Sequence, residues 1–178
     1  MNKQIYYIGI AGGTGSGKTS FAKAITLNLK PTEVVIIEQD SYYKDLSMLS
    51  MEERSKINYD HPDSIDFTFM KKQLTMLSNG ENIKIPIYDY KTHTRKNITN
   101  DILQSQNIII IEGILIFHDP ELRKLLDLKI YIDTPDDLRL TRRINRDLNE
   151  RKRTLTSIIK QYYSTVRPMH NKYVKTTK

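Results

Sequence analysis

Cysteine is absent from this chain of 178 residues, which excludes disulfides and thiolate metal sites. Tryptophan is absent too, and no apolar run approaches the roughly 20 residues that a bilayer-spanning helix needs. The opening Met1-Asn2-Lys3-Gln4 shows no secretory signal pattern and leads straight into an apolar segment, so a soluble cytoplasmic protein is expected. At 38% hydrophobic content the chain is long enough for one sizeable core and short for two independent domains. One domain carrying an insertion is the expectation.

Acidic residues are sparse near the C-terminal end. Residues 139–178 carry 12 basic and 2 acidic side chains, against 16 basic and 19 acidic in residues 1–138, so the whole excess behind the net charge of +7 lies there. Such a segment suits either a nucleic-acid-binding tail or a lid that clamps a polyphosphate. Arg139, Arg142, Arg143 and Arg146 are spaced by three and four, placing Arg139, Arg142 or Arg143, and Arg146 along one helix face. Arg151 and Arg153 sit in the turn that follows. Given a phosphate site elsewhere in the chain, a closing lid is the better reading, because guanidinium groups grip phosphate oxygens bidentately.

Glycine is scarce, with seven residues in all, and the glycines that are present mark that phosphate site. An apolar segment over 5–10 runs into Gly12-Gly13-Thr14-Gly15-Ser16-Gly17-Lys18-Thr19, which fits G-x-x-x-x-G-K-[ST], and a helical pattern from Phe21 to Leu29 follows. Glycines let the backbone turn through positive φ and approach phosphate oxygens, so that successive N–H groups point at them, while the next helix presents its positive end. Lys18 then reaches the β and γ phosphates, and Thr19 offers a hydroxyl to Mg²⁺. Gly12, Gly13, Thr14, Gly15, Ser16, Gly17, Lys18, Thr19 and Ser20 are therefore the candidate nucleotide-binding residues, with a nucleoside triphosphate and Mg²⁺ as the implied ligands.

Strands expected over 5–10, 34–38, 107–112 and 129–133, with a helix over 18–29, predict an α/β fold with a parallel central sheet. Ile108-Ile109-Ile110-Ile111 is apolar without alternation, as a central strand covered on both faces should be. Between 40 and 107 the rhythm breaks. Helices are expected over 51–57 and 67–79, with Asp63 and Asp66 as caps and Asn79-Gly80 as a stop. An extended stretch over 83–90 then turns back at Thr92-His93-Thr94-Arg95. An inserted β-hairpin within 59–106 that supplies a second substrate site fits this pattern. Two last helices are expected over 135–148 and 155–173.

Asp40 follows the second strand, whose carboxyl end opens on the same crevice as the glycine loop. It is placed to orient a hydroxyl nucleophile near the γ phosphate, a task needing little basicity because phosphoryl transfer passes through a loose transition state. A loop or capping role is the bland alternative. Glu112 ends the most apolar strand in the position of a Walker B acid beside Mg²⁺. Tyr88, Tyr90 and His93 offer stacking faces and hydrogen-bonding tips on one ribbon. Asp60 is the acid of the Asp60, Asp63 and Asp66 cluster that capping does not explain. A GTPase switch would need Asn-Lys-x-Asp, and Asn171-Lys172-Tyr173-Val174 fails at the fourth position.

Taken together, the glycine loop, Gln39-Asp40-Ser41-Tyr42-Tyr43-Lys44, Asn58-Tyr59-Asp60-His61-Pro62-Asp63, Pro86-Ile87-Tyr88-Asp89-Tyr90, His93-Thr94-Arg95, Glu112-Gly113-Ile114-Leu115 and Arg142-Arg143-Ile144-Asn145-Arg146-Asp147 resemble the uridine kinases, also called uridine–cytidine kinases. That branch of the P-loop kinases also includes phosphoribulokinase and bacterial pantothenate kinase. The resemblance implies a single P-loop kinase domain, a three-layer α/β/α fold with the substrate insertion over 59–106 and an arginine-rich lid over 139–167. It implies phosphoryl transfer from ATP or GTP to the 5′-hydroxyl of uridine or cytidine, with Asp40, Lys18 and Arg146 catalytic and Thr19, Asp40 and Glu112 around Mg²⁺. Asp60 and Arg143 match ribose-holding positions, and Tyr88, Tyr90 and His93 match pyrimidine-binding ones. Arg153 and Gln161 match further substrate positions, while Arg146 and Arg151 match lid arginines facing the triphosphate. A cytoplasmic homotetramer acting in pyrimidine salvage, with no nucleic-acid or membrane partner, is implied as well. Two departures stand out. Lys152 replaces the usual lid glycine of Arg-Gly-Arg, and a family strand, adenine loop and closing helix beyond Lys178 are missing, which predicts weakened ATP binding or stability.

Overall fold

The computed structural model describes residues 5–96, 102–104 and 106–178. Its strands are β1 (Tyr6–Ala11), β2 (Val34–Glu38), β3 (Ile87–Asp89), β4 (Thr94–Lys96), β5 (Ile108–Glu112) and β6 (Leu128–Tyr131). Four of them form a parallel sheet in the order β2-β5-β1-β6, while β3 and β4 make a separate antiparallel hairpin. Glu38 lies beside Glu112, and Ile10 beside Glu112 on the other flank. The carboxyl ends of β1, β2 and β5 therefore meet along one edge, where an open parallel sheet places its ligand crevice.

The unalternating isoleucines still sort by face. Ile8, Ile10, Ile108 and Ile110 share a cluster with Ala22 and Ile25 of helix α1 (Lys18–Thr26). Tyr7, Ala11, Ile109 and Ile111 belong to a larger cluster with Met70, Leu74 and Leu77. Ile109, Ile110 and Ile111 expose no surface, and each such burial stabilises the fold by about 1.5–3 kcal/mol.

Helix starts follow their caps. Ser50 closes a capping box with Glu53 at the start of α2 (Met51–Lys56). Asp66 accepts from the Phe69 N–H at 3.0 Å at the start of α3 (Phe67–Ser78), and Gly80, at φ +79°, follows its end. Asp63 is not a cap: it is exposed, and the His61 ring nitrogen accepts its N–H instead, because Pro62 begins a short 3₁₀ turn whose N-cap is His61. Helix α4 (Pro120–Leu125) was not expected from sequence, although Asp119-Pro120 supplies both its cap and its first residue.

Helix α5 (Asp136–Asn149) covers the glycine loop, and α6 (Leu155–Gln161) follows it. Beyond Gln161 the expected long helix loosens into π-helical turns, Tyr162–Val166 and His170–Val174, on either side of Arg167–Met169. Pro168 lies between them and has no N–H to give, so wider turns accommodate it. In the insertion, only Ile87–Asp89 of the expected extended run joins a ladder, and Ile83 bridges to Leu103. Residues 97–101 and 105 of that insertion, like Met1-Asn2-Lys3-Gln4, lie outside the described residues. Among the described residues no helix is long and apolar enough to cross a membrane.

Candidate active site

The loop between β1 and α1 holds Gly15 at φ +74° and Gly17 at φ +99°, a region that side chains enter at a cost of about 1–2 kcal/mol. Space matters as much as dihedral: a Cβ on Gly15 would lie 2.3 Å from the Arg139 carbonyl oxygen. Gly17 caps α1 without a side chain, so the first-turn N–H groups stay open to an anion. Lys18 is buried, its ammonium donating among the described residues only to the Gly13 carbonyl at 3.3 Å, and burial lowers its pKa against the opposing pull of Glu112. The buried Ser16 hydroxyl has no partner among the described residues. A cradle of glycines, an underused ammonium and a free hydroxyl fit a polyphosphate. Ser20, by contrast, is exposed on the first turn of α1.

Thr19 donates its hydroxyl to Glu112 at 2.5 Å, and burial pushes the Glu112 carboxyl up while Lys18 opposes the shift. Hydroxyl and carboxylate oxygens suit Mg²⁺, which binds through one or two carboxylates and substrate phosphates rather than an all-protein cage. No group of three or more His, Cys, Asp or Glu that could hold a metal ion occurs among the described residues.

Asp40 lies in a 3₁₀ turn, Gln39–Tyr42, that leaves β2. Two fully buried side chains pin this turn. Gln39 accepts the Leu115 N–H at 2.9 Å, packing against Gly113, and Tyr42 donates to Gln73 at 2.7 Å. Tyr90 donates its hydroxyl to Asp40 Oδ2 at 2.8 Å, while Oδ1 accepts no hydrogen bond among the described residues.

At the inserted hairpin, Tyr88 is buried against Tyr43 at 4.8 Å and Tyr90 at 5.3 Å between ring centroids. His93, at φ +52°, stacks on Tyr59 at 4.8 Å and 13°. Burial, then Arg54 and Arg153, lowers the His93 pKa, so a neutral imidazole faces this region at neutral pH. Burial raises the Asp60 carboxyl, opposed first by Arg143. A cavity of about 400 Å³ opens beside Asp40, lined in part by Ile85, Ile87, Tyr88 and Tyr90. The hairpin thus brings Tyr90 to Asp40, whereas Tyr88 and His93 are spent largely on Tyr43 and Tyr59.

Helix α5 carries the arginines inward. Arg139 and Arg143 are 2% and 5% exposed, whereas Arg142 points outward and reaches the Ser16 carbonyl at 3.4 Å, so Arg143 rather than Arg142 completes the buried face. Arg143 donates to Thr14 Oγ1 at 3.1 Å and to Gln161 Oε1 at 2.9 Å, and Arg153 donates to the same Gln161 oxygen. Arg151 lies over the Tyr90 ring at 4.6 Å. Arg146 bonds Asp147, a fully buried carboxylate around which Arg143, Arg151 and Arg153 also gather. Sequence reasoning gave no role to Gln39, Tyr59 or Asp147. For Asp147 the signal was present, an acid inside a row of arginines.

The sequence profile of the Phosphoribulokinase / Uridine kinase family matches residues 7–178. This chain belongs to that family. Among curated relatives, a uridine kinase of Alkaliphilus metalliredigens (strain QYMF) is 50% identical over the whole chain and 85% of its own length. A uridine kinase of Clostridium novyi (strain NT) is 52% identical over 96% of this chain and 82% of its own. Among solved structures, a Silicibacter sp. TM1040 protein ascribed to fructose transport as a kinase matches with TM-score 0.76 at 17% identity, over 94% of this chain and 85% of that one. That last likeness speaks to the fold alone, a parallel α/β P-loop kinase fold.

Proposed function

We propose that this chain is a Mg²⁺-dependent nucleoside kinase, transferring the γ-phosphoryl group of ATP, with GTP as a further donor, to the 5′-hydroxyl of uridine or cytidine to give UMP or CMP. The observation that carries the reading is Asp40, pinned by Gln39 at the sheet edge and joined by Tyr90 to the inserted hairpin. Relatives at about half identity that bear the name uridine kinase favour the acceptor.

Asp40 Oδ1 accepts the acceptor hydroxyl and orients it, taking its proton late, as a loose transition state allows. Lys18, with Arg146 and Arg151 from the lid, offsets charge on the phosphate oxygens. Thr19, Glu112 and Asp40 would hold Mg²⁺, which would offset charge on the phosphates. Asp60, Arg143, Arg153 and Gln161 hold the sugar side, and Tyr88, Tyr90 and His93 the base. By analogy with the family the protein is cytoplasmic and assembles as a homotetramer.

Incubation with ATP, Mg²⁺ and a panel of uridine, cytidine, purine nucleosides, pantothenate and ribulose 5-phosphate, following ADP release, tests this directly. Release that depends on uridine or cytidine and collapses in Asp40→Asn is expected. No pyrimidine-dependent release, or full activity in Asp40→Asn, overturns the reading.

A further inference from the structure

The two carboxylate oxygens of Asp147 divide the lid arginines between them. Oδ1 takes Arg146, at 3.0 Å from Nε and 2.9 Å from Nη2, and Arg151 at 3.7 Å. Oδ2 faces Arg143 and Arg153, each at 3.6 Å. The division follows partners: Arg143 and Arg153 converge on Gln161 Oε1, whereas Arg151 lies over Tyr90; Arg146, Arg151 and Arg153 are all partly exposed and Arg143 is buried. Each group also reaches a different part of the site. Arg143 touches Thr14 of the glycine loop, and Arg151 covers Tyr90, whose hydroxyl holds Asp40.

The network is half made. Asp147 Oδ2 and Arg143 Nε are buried and have no hydrogen-bond partner among the described residues, although they face each other. A buried ionised carboxylate with an unsatisfied oxygen is costly, so any change that draws Arg143 and Arg153 closer is favoured. A polyphosphate is such a change: it competes with Oδ1 for Arg146 and Arg151, and the charge of Asp147 then falls to the Oδ2 side.

We propose that Asp147 is a positioning residue that couples the two substrate sites, so that a bound nucleoside triphosphate tightens the acceptor side through Arg143 and Arg153. The proposal rests on the assignment of those two arginines and Gln161 to the acceptor side. Positive coupling between two ligands is reciprocal and commonly runs from about 5-fold upwards.

The test is isothermal titration of uridine into the protein with Mg²⁺, with and without a non-hydrolysable ATP analogue, for the parent and Asp147→Asn. The analogue should tighten uridine binding at least about fivefold in the parent and less than about twofold in the variant. Affinity for the analogue alone should not weaken in Asp147→Asn, since its arginines have lost a competing anion. Loss of analogue binding together with a lowered melting temperature marks a merely structural residue and overturns the proposal, as does coupling retained in the variant.

Hydrogen exchange with the analogue alone separates this from the choice of acceptor. Slower exchange in 155–161 and 87–96 of the parent, absent in Asp147→Asn, supports coupling even where uridine fails to bind, a failure that sinks only the acceptor assignment. Equal protection in both proteins overturns it. Should Asp147→Asn not fold, Asp147→Glu decides: it keeps the charge and moves the carboxylate by one methylene, so reduced coupling supports the proposal and parental coupling overturns it.

Discussion

Gly113→Ala is a one-carbon change that should disable Asp40 without touching it. A Cβ at position 113 would lie 2.4 Å from both Cβ and Oε1 of Gln39, where ordinary contact begins about 1 Å further out. Gln39 Cβ is no flexible tip, and the side chain is fully buried with its oxygen on the Leu115 N–H. The backbone of the 3₁₀ turn must therefore yield by about 1 Å, carrying Asp40 with it. A displacement of about that size at a reacting group costs on the order of 100-fold in rate. Overpacking adds a stability loss of about 1–3 kcal/mol, or about 2–12 °C in melting temperature for a chain of this size. Steady-state ADP release with uridine at saturating ATP measures the first, and thermal melting the second. KM for ATP should change little, since the glycine loop leaves a different strand. An alanine variant with kcat/KM within twofold of the parent would refute the claim that Gln39 fixes Asp40.

Tyr90→Phe deletes the hydroxyl on Asp40 and keeps the ring beneath Arg151; a hydrogen bond to a charged acceptor is worth about 1.5–3 kcal/mol. A fall in kcat of about ten- to a hundredfold with KM for ATP unchanged is expected from ADP-release kinetics, and parental kcat contradicts it. Lys152 adopts φ +53° in the turn between α5 and α6, so Lys152→Gly relieves about 1–2 kcal/mol of strain but adds about 0.5–1 kcal/mol of unfolded-state freedom. Melting should rise by no more than about 5 °C, and a fall of that size speaks against the strained turn. The buried His170 imidazole is held down to about 4, first by burial and then by Arg139, against an ordinary 6.5. The unfolded chain therefore binds the extra proton in that window, and stability is full above about pH 6.5 and falls by roughly 3 kcal/mol on the way down to about 4. Urea unfolding of parent and His170→Gln at pH 7 and pH 4.5 should show their difference shrinking as pH falls; a constant difference counts against it.

The parallel sheet, the glycine loop and the Asp66 and Gly80 boundaries of α3 were legible because each rests on local chemistry: unbroken β-branched runs, glycines at positive φ, and a cap. The Gln39–Leu115 bond and the stacking of His93 on Tyr59 were not, because their partners lie 76 and 34 positions away in sequence and no local pattern encodes such pairing. Asp63 was misread for a related reason: a proline one residue earlier shifts the cap to His61. The π-helical turns escaped because the apolar pattern over 155–173 suits either helix, and only the fit around Pro168 chooses between them.

Charge along the chain left the C-terminal segment open between a nucleic-acid tail and a lid, and burial sorts its cations: Arg142, Lys152, Lys160, Arg167, Lys172, Lys175 and Lys178 are exposed, whereas others are drawn inward. A surface that binds a nucleic-acid backbone must present its cations to solvent, since affinity comes from released counterions. Here Arg139 and Arg143 are almost wholly buried, and Arg143, Arg146, Arg151 and Arg153 surround one carboxylate with no exposed surface. Four guanidinium groups share that one buried aspartate, with Asp60 the next acid they feel, so the cluster keeps a positive surplus at a partly exposed edge, where an added anion is attracted. That surplus faces a glycine loop whose own lysine and helix end are short of an anion. That arginine cluster, rather than the net charge of the whole segment, is what favours the triphosphate site proposed above over a binding tail.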